Sequence, residues 1–248
     1  MHSFLMIGQS NMAGRGRAKE VEPIRNSELF VLRNGRWIPM YVPVNPDRWT
    51  AGVSLAESFA DAYQKKHGVK VGLIPCADGG TSVMQWQPGE VLFDNAVFHA
   101  KLAMRTSEIK GIIWHQGEAD CSEERQAKYF ERCMTVMEKL REELGLPELP
   151  IILGGLGEFL VHRPEPELHR YESLNAELVR VAEALPCAAF ASASGLTSNP
   201  DMLHFSAAAL RELGLRYFEA FDGLCGGEAV DGGANNSAPI ELSSMEKL

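Results

Sequence analysis

The sequence has little positive charge and no long hydrophobic run. Its 33 acidic residues outnumber its 24 basic residues, so the 248-residue chain carries a formal net charge of −9 at pH 7. Surfaces that bind nucleic acid by neutralising phosphates need clustered Lys and Arg, and a membrane-spanning helix needs about 20 consecutive apolar residues. Neither feature is present, and we therefore expect no nucleic-acid partner and no membrane partner.

The five cysteines are an odd number, and no two of them form a CxxC pair. This usage favours reduced thiols over a disulfide framework or a zinc site. His162 and His169 stand seven residues apart without the neighbouring ligands of a metal site, so we expect no metal. The first residues also lack the basic and apolar regions of a secretory signal, and we expect a cytoplasmic location.

Short apolar runs alternate with amphipathic patterns along the chain, which is typical of βαβ units around a mostly parallel sheet. Five strands are predicted in this series, together with a separate hairpin whose turn is marked by Asn34-Gly35. The strands are predicted over residues 3–8, 69–74, 109–114, 151–154 and 188–191, the hairpin over residues 29–40, and the helices over residues 53–66, 95–107, 123–144, 168–185 and 206–221.

No linker or internal repeat divides this series, so one domain is predicted over residues 1–222. Beyond Asp222 the composition shifts to Gly, Ala, Asn and Ser. Such a segment buries too little apolar surface to offset the entropy of ordering it. Residues 223–248 are therefore predicted to be a polar C-terminal tail.

Polar, glycine-bearing segments follow three of the predicted strands, at the sheet edge where open α/β folds bind ligands. These segments are Gly8-Gln9-Ser10-Asn11-Met12-Ala13-Gly14, Asp78-Gly79-Gly80-Thr81-Ser82 and His115-Gln116-Gly117-Glu118-Ala119-Asp120. A fourth segment, Asp201-Met202-Leu203-His204-Phe205, precedes the last predicted helix.

Ser10 is the candidate nucleophile. A serine hydroxyl needs an imidazole to take its proton and a carboxylate to orient that imidazole, and His204 and Asp201 supply this pair. The backbone N–H groups of Ser10 and of Gly79 or Gly80 are candidate donors to the oxyanion, and the side-chain amide of Gln116 is a third.

These residues also have structural interpretations. Ser10 alone would more commonly cap a helix, and Asp201 could be an ordinary residue at a helix N-terminus. Glu118 could orient the imidazole in place of Asp201, or could only hold its own loop.

Arg15 follows the nucleophile segment and could contact substrate. Trp37, Trp49 and Trp86 could stack on a sugar ring, and Trp86 is favoured because it follows the Gly79-Gly80 segment.

Taken in order, the four segments resemble the SGNH hydrolases, specifically the sialate O-acetylesterase and family 6 carbohydrate esterase (acetylxylan esterase-like) branch. The resemblance extends over residues 3–217. In the third segment, Gln116-Gly117-Glu118 stands where asparagine is usual in the wider superfamily, as in the carbohydrate esterase branch.

The resemblance implies that Ser10 is the nucleophile and that Asp201 and His204 are orienter and base. It assigns the oxyanion hole to Ser10, Gly79 or Gly80, and Gln116, with Gln9, Asn11 and Glu118 as possible supporting residues.

A flavodoxin-like three-layer α/β/α fold, no cofactor and removal of acetyl groups from a sugar are also implied. Acetylated xylo-oligosaccharides and sialic acid are the expected kinds of substrate. A lipase-like or thioesterase activity and a catalytically silent carbohydrate-binding protein are the alternatives. The sequence does not indicate the oligomeric state.

Overall fold

The structure, a computed structural model, describes residues 1–225 as alternating strands and helices. The strands are β1 (His2–Gly8), β2 (Leu29–Arg33), β3 (Arg36–Pro39), β4 (Val71–Pro75), β5 (Glu108–His115), β6 (Ile151–Gly154) and β7 (Ala188–Ala191). The α-helices are α1 (Ser10–Ala13), α2 (Leu55–His67), α3 (Val91–Ala103), α4 (Glu123–Gln126), α5 (Tyr129–Leu144), α6 (Tyr171–Ala184) and α7 (Ala207–Cys225). Short 3-10 helices cover Ala18–Glu20, Val83–Trp86, Glu118–Asp120, Glu158–His162 and Pro166–Arg170.

The strands form one sheet in the order β3-β2-β4-β1-β5-β6-β7, with β1 near its centre. Every neighbouring pair is parallel except β2 and β3. Helices α2 and α7 pack together on one face, and α3, α5 and α6 cover the other. Because both faces are covered, the central strands are almost continuously apolar, as in other parallel sheets. The predicted α/β/α sandwich is confirmed.

The sheet has seven strands rather than the five predicted, because the hairpin joins it. Asn34 and Gly35 form the predicted turn, with φ of 48° and 74°. These positive values are typical of the type I′ turn, which connects the two strands of a hairpin through a two-residue loop. Leu29 and Val31 are buried, and β2 pairs with β4 in parallel, so burial against the sheet fixes the hairpin at its edge.

Two further boundaries differ from the prediction. The helix predicted over residues 123–144 is two helices, because Lys128 leaves helical geometry with φ −115° and ψ 3°. No glycine or proline marks this break in the sequence. The helix predicted over residues 206–221 continues to Cys225 as α7. The domain boundary at residue 222 stays a prediction, and residues 226–248 of the predicted tail lie outside the described residues.

Within residues 1–225, no helix combines the length and the apolar character needed to cross a bilayer. The four cysteines whose side chains are described are all free thiols: Cys76, Cys121, Cys133 and Cys187. The cytoplasmic location stays a prediction.

Candidate active site

Ser10 is the first residue of α1, directly after the C-terminal end of β1. The chain can turn there because Gly8 adopts φ +129° and approaches β5 so closely that a Cβ atom would lie 2.1 Å from the carbonyl oxygen of His115. The Gln9 N–H donates to that same carbonyl at 2.9 Å. Only glycine tolerates this conformation and approach, so the sequence Gly8-Gln9-Ser10 fixes the serine at the sheet edge.

Ser10 and His204 are 194 positions apart in the chain and adjacent in the structure. The Oγ of Ser10 lies 3.0 Å from Nε2 of His204, and Nδ1 of His204 lies 2.7 Å from Oδ2 of Asp201. A carboxylate that accepts a hydrogen bond from the Nδ1–H group leaves Nε2 as the acceptor for the serine hydroxyl. The three side chains thus form the hydrogen-bonded chain that acyl transfer requires.

Asp201 is held in place by its own loop. Its Oδ1 accepts the backbone N–H groups of Leu203 and His204, each at 3.0 Å. The intervening Met202 has φ +51°, which closes a tight turn. Partial burial opposes ionisation of Asp201, but the hydrogen bonds from the side chain and backbone of His204 and the backbone of Leu203 outweigh it and lower the carboxyl pKa. The group therefore stays charged beside the imidazole.

Asn11, directly after Ser10, joins α1 to the segment that carries His204. Its Oδ1 accepts the backbone N–H of Phe205 at 3.1 Å, and its Nδ2 donates to the carbonyl of Leu203 at 3.3 Å. The same Nδ2 donates to Oε1 of Glu118 at 2.5 Å. One buried amide thus holds the backbone on both sides of His204, so the position of His204 is coupled to that of Ser10.

Glu118 lies in the site but does not touch the imidazole. Its side chain is buried, Oε1 is bonded to Asn11, and Oε2 has no partner among the described residues. Burial, assisted by the neighbouring charge of Asp120, raises the pKa of Glu118 to about 7. Asp201, not Glu118, is therefore the carboxylate hydrogen-bonded to His204.

Two of the predicted oxyanion donors are already engaged. The N–H of Gly79 donates to Oδ2 of Asp47 at 2.9 Å. Gln116 is fully buried, and its Nε2 donates to Oδ2 of Asp120 at 2.6 Å and to the carbonyl of Thr81 at 3.0 Å. Both amide protons are used inside the protein, which corrects the prediction that Gln116 would face the oxyanion.

The backbone N–H groups of Ser10 and Gly80 are different, since neither has an acceptor within residues 1–225. Gly80 has φ +80° and open space around the position of a Cβ atom. The alternative between Gly79 and Gly80 left by the sequence is narrowed to Gly80 by the engagement of Gly79. Gln9, a predicted supporting residue, contacts the third segment: its side-chain Oε1 accepts the backbone N–H of Ala119 at 3.4 Å.

The two predicted substrate contacts are structural residues instead. Trp86 is fully buried, packs edge-to-face on Trp114 at 5.5 Å between ring centroids and donates to Thr81, so neither face of its ring is free for a sugar. Arg15 is also buried and forms a two-pronged ion pair with Asp47, at 2.7 and 3.0 Å. Its guanidinium braces the loop beside Gly79 and is not presented to a ligand.

Asp47 is the site residue that sequence reasoning missed. It lies in an irregular segment between β3 and α2, where no periodic pattern or motif marks it. Its carboxylate accepts from both Arg15 and Gly79, and a Cβ atom on Gly79 would lie 2.5 Å from Arg15 Nη2 and 3.5 Å from Ser10 Cβ. Arg15 and Gly79 are each 32 positions from Asp47 in the chain, so no local sequence signal indicates these contacts.

The fold and the hydrogen-bonded serine, histidine and aspartate are those of a carboxylic ester hydrolase. Residues 1–222 match the family described as carbohydrate esterase, sialic acid-specific acetylesterase. The chain belongs to this family, within the SGNH hydrolases, and the family resemblance predicted from the four segments is confirmed.

Individual relatives agree with this assignment. A probable carbohydrate esterase of Arabidopsis thaliana is 30% identical over 244 residues, covering 88% of this chain and 89% of the relative. The X-ray structure of that Arabidopsis protein superposes with a TM-score of 0.81 at 26% identity, covering 90% of this chain and 98% of the other.

Two more distant structures share the fold. A carbohydrate acetylesterase from Xanthomonas citri has a TM-score of 0.71 at 22% identity, covering 91% of this chain and 56% of that protein. NanS has a TM-score of 0.72 at 17% identity, covering 92% of this chain and 98% of that protein. These two likenesses show the fold, and the family match is what supports assignment of the protein as a carbohydrate acetylesterase.

Proposed function

We propose that this protein is a serine esterase that removes O-acetyl groups from a carbohydrate through a covalent acyl-enzyme. The observation that carries the proposal is the continuous hydrogen-bonded chain from Ser10 Oγ to His204 Nε2, at 3.0 Å, and from His204 Nδ1 to Asp201 Oδ2, at 2.7 Å. Both distances are within hydrogen-bond range, and the first lets the Ser10 proton pass to His204.

In the acylation step, His204 Nε2 takes the Ser10 proton while Oγ attacks the acetyl carbonyl carbon. Asp201 stabilises the resulting imidazolium, which fits its lowered carboxyl pKa. Collapse of the tetrahedral intermediate breaks the ester bond, and the imidazolium returns the proton to the departing sugar oxygen. Water then attacks the acetyl-enzyme by the reverse proton path, releasing acetate and restoring Ser10.

The negative oxygen of the intermediate needs donors that are free before substrate binds. The N–H groups of Ser10 and Gly80 meet this requirement, since neither has an acceptor within the described part of the chain. The Gly79 N–H is withheld by Asp47, whose ion pair with Arg15 fixes the loop that presents Gly80. We assign the oxyanion hole to these two backbone donors.

The substrate is proposed to be an acetylated xylo-oligosaccharide, a sialic acid or a related acetylated sugar. A lipase-like or thioesterase hydrolase would accept longer acyl chains, so 4-nitrophenyl esters of increasing chain length separate the two: we expect activity to fall sharply beyond acetyl. A catalytically silent binding protein would leave Ser10 unlabelled by a fluorophosphonate, whereas we expect labelling.

The decisive experiment is hydrolysis of 4-nitrophenyl acetate by Ser10→Ala. We expect kcat to fall by about a thousandfold or more, because the variant loses the nucleophile. Ser27→Ala is a matched control, since Ser27 is exposed in the turn before β2 and should leave kcat unchanged. Undiminished activity in Ser10→Ala would remove Ser10 from the mechanism.

A further inference from the structure

Trp49 is the most exposed large apolar side chain in the described structure, with 96% of its surface open to solvent. The other tryptophans differ: Trp86 and Trp114 are fully buried, and Trp37 is half-buried and donates to Thr106. A tryptophan left in water forgoes the large free energy that burial of its indole would supply. Isolated exposed leucines or valines need no explanation, but a fully exposed indole beside a candidate active site does.

The segment before Trp49 is tied to the second site loop. Asn45 and Ala77 exchange two hydrogen bonds, of 2.9 and 3.0 Å, and the Asp47 carboxylate accepts the Gly79 N–H. Arg48 forms an ion pair with Asp78 at 2.7 Å and donates to the carbonyl of Gly79 at 3.3 Å. Residues 45–48 therefore run alongside residues 77–79, in the loop that also contains Gly80.

The segment after Trp49 is tied to the nucleophile region. The N–H of Gly52 donates to the carbonyl of Gly14 at 3.0 Å, and Gly16 and Val53 exchange two backbone bonds. Between these attachments, the Ala51 N–H donates to the carbonyl of Arg48 at 3.0 Å and closes a turn around Trp49. The exposed indole is thus carried on a turn anchored to both loops of the catalytic edge.

This anchoring places Trp49 near the reacting groups without making it one of them. Gly79 borders Ser10, since a Cβ atom on Gly79 would lie 3.5 Å from Ser10 Cβ. Asp47 is bonded to Gly79, and two residues of extended chain from Asp47 to Trp49 span at most about 7 Å. The side chain of Arg48 lies against Gly79, so Trp49 belongs to the rim of the site.

We infer that Trp49 is a specificity-determining residue whose indole binds a sugar ring next to the acetylated one, so that the preferred substrate is an acetylated oligosaccharide. Aromatic faces and the apolar face of a sugar ring bury surface against each other. The sugar ring whose acetyl group reacts with Ser10 occupies the centre of the site. The adjoining ring of an oligosaccharide can then lie at the rim, where Trp49 is. The inference deepens the proposed function and rests on it.

The test compares Trp49→Ala with the wild type on acetylated xylo-oligosaccharides, on acetylated xylose and on 4-nitrophenyl acetate. We expect kcat/KM on the oligosaccharides to fall about tenfold through KM, as loss of one aromatic contact predicts. Activity on acetylated xylose and 4-nitrophenyl acetate should be unchanged. Trp49→Phe should recover most of the loss, and Phe98→Ala, which removes an exposed aromatic from α3, should have no effect.

A second readout is independent of turnover. In Ser10→Ala, titration with the same oligosaccharides should change the tryptophan fluorescence, and the additional Trp49→Phe substitution should abolish the change. Equal kinetic constants for the wild type and Trp49→Ala on oligosaccharides, or a fluorescence change that survives without Trp49, would overturn the inference. Wild-type hydrolysis of 4-nitrophenyl acetate with no acetate release from any sugar would instead refute the carbohydrate part of the proposed function.

Discussion

Asp201 and Glu118 are two carboxylates of the candidate site, and they differ in exposure to solvent and in the hydrogen bonds they accept. The Asp201 side chain is 43% exposed and has hydrogen bonds from one imidazole and two backbone N–H groups. Glu118 is 6% exposed, accepts a side-chain hydrogen bond from Asn11, and has one carboxyl oxygen without a partner among residues 1–225. Consequently the carboxyl pKa of Asp201 is lowered, and that of Glu118 is raised to about 7.

The contrast teaches how one site separates two roles that the same chemical group could fill. A carboxylate that stabilises an imidazolium must stay charged, which requires donors and some access to water. A carboxyl that anchors an amide inside the protein is better neutral, since a buried charge without a full set of partners is costly. Asp201 fits the first role and Glu118 the second.

The largest expected effect comes from converting the Asp201 carboxylate to an amide. In Asp201→Asn the side chain can present an N–H to the imidazole and favour the wrong tautomer, so kcat on 4-nitrophenyl acetate should fall by about 10³ to 10⁴. Steady-state kinetics on this variant and on Glu118→Gln measure the contrast directly. A much larger loss in Glu118→Gln than in Asp201→Asn would reverse the assignment of the two carboxylates.

A smaller effect is expected from removing the amide that positions the base. Asn11→Ala leaves the backbone on both sides of His204 unheld, and misplacement by about 1 Å costs up to about a hundredfold in rate. We expect kcat to fall by about ten- to a hundredfold with KM little changed.

Asn175→Ala is the matched control for Asn11→Ala, because Asn175 bonds both backbone groups of Leu156 in the same manner but away from the triad. Thermal unfolding of both variants shows how much stability each substitution costs. If the two variants lost kcat equally, Asn11 would have only a structural role.

The smallest catalytic effect is expected for Glu118→Gln. This substitution should instead change how the free energy of unfolding depends on pH. The folded protein keeps a proton on Glu118 that the unfolded chain loses between about pH 4.5 and 7, since burial raises the folded pKa to about 7. The free energy of unfolding of the wild type should therefore decrease as pH rises through this range, by at most about 1.4 kcal/mol per pH unit.

Glutamine has no proton to lose, so the Glu118→Gln variant should gain stability relative to the wild type between pH 5 and pH 8. Urea unfolding at the two pH values measures the difference, and kcat should stay within about threefold of the wild type. Parallel pH profiles for the two proteins would show that Glu118 is ionised in the folded state.

The residues that could be predicted from the sequence are those whose identity is required by backbone geometry or by chemistry. Gly8 permits the turn that places Ser10 at the sheet edge, and the Asn34-Gly35 pair defines a hairpin turn, so both left a local signal. Ser10, Asp201 and His204 are recognisable because acyl transfer needs these three groups. The alternation of apolar runs was sufficient for β1, β4, β5, β6 and β7, but it did not indicate that the hairpin of β2 and β3 joins the same sheet.

The features that were missed depend on contacts between distant segments. Asp47 is defined by Arg15 and Gly79, and no local pattern in the loop before α2 indicates either contact. Gln116 has the donor chemistry of an oxyanion hole, but Asp120 and Thr81 take up its protons. Trp86 and Trp49 are equivalent as residue types, and only tertiary packing decides which of them is buried.

The position of β1 in the sheet has a consequence for synthesis of the protein. Strand β1 is paired on both sides by strands that follow it in the chain, β4 and β5. Its serine meets its base only after residue 204 has been made, and contacts of such large sequence separation form slowly. If the proposed mechanism holds, chains that end before residue 204 should have no esterase activity, and the appearance of activity should report completion of the fold.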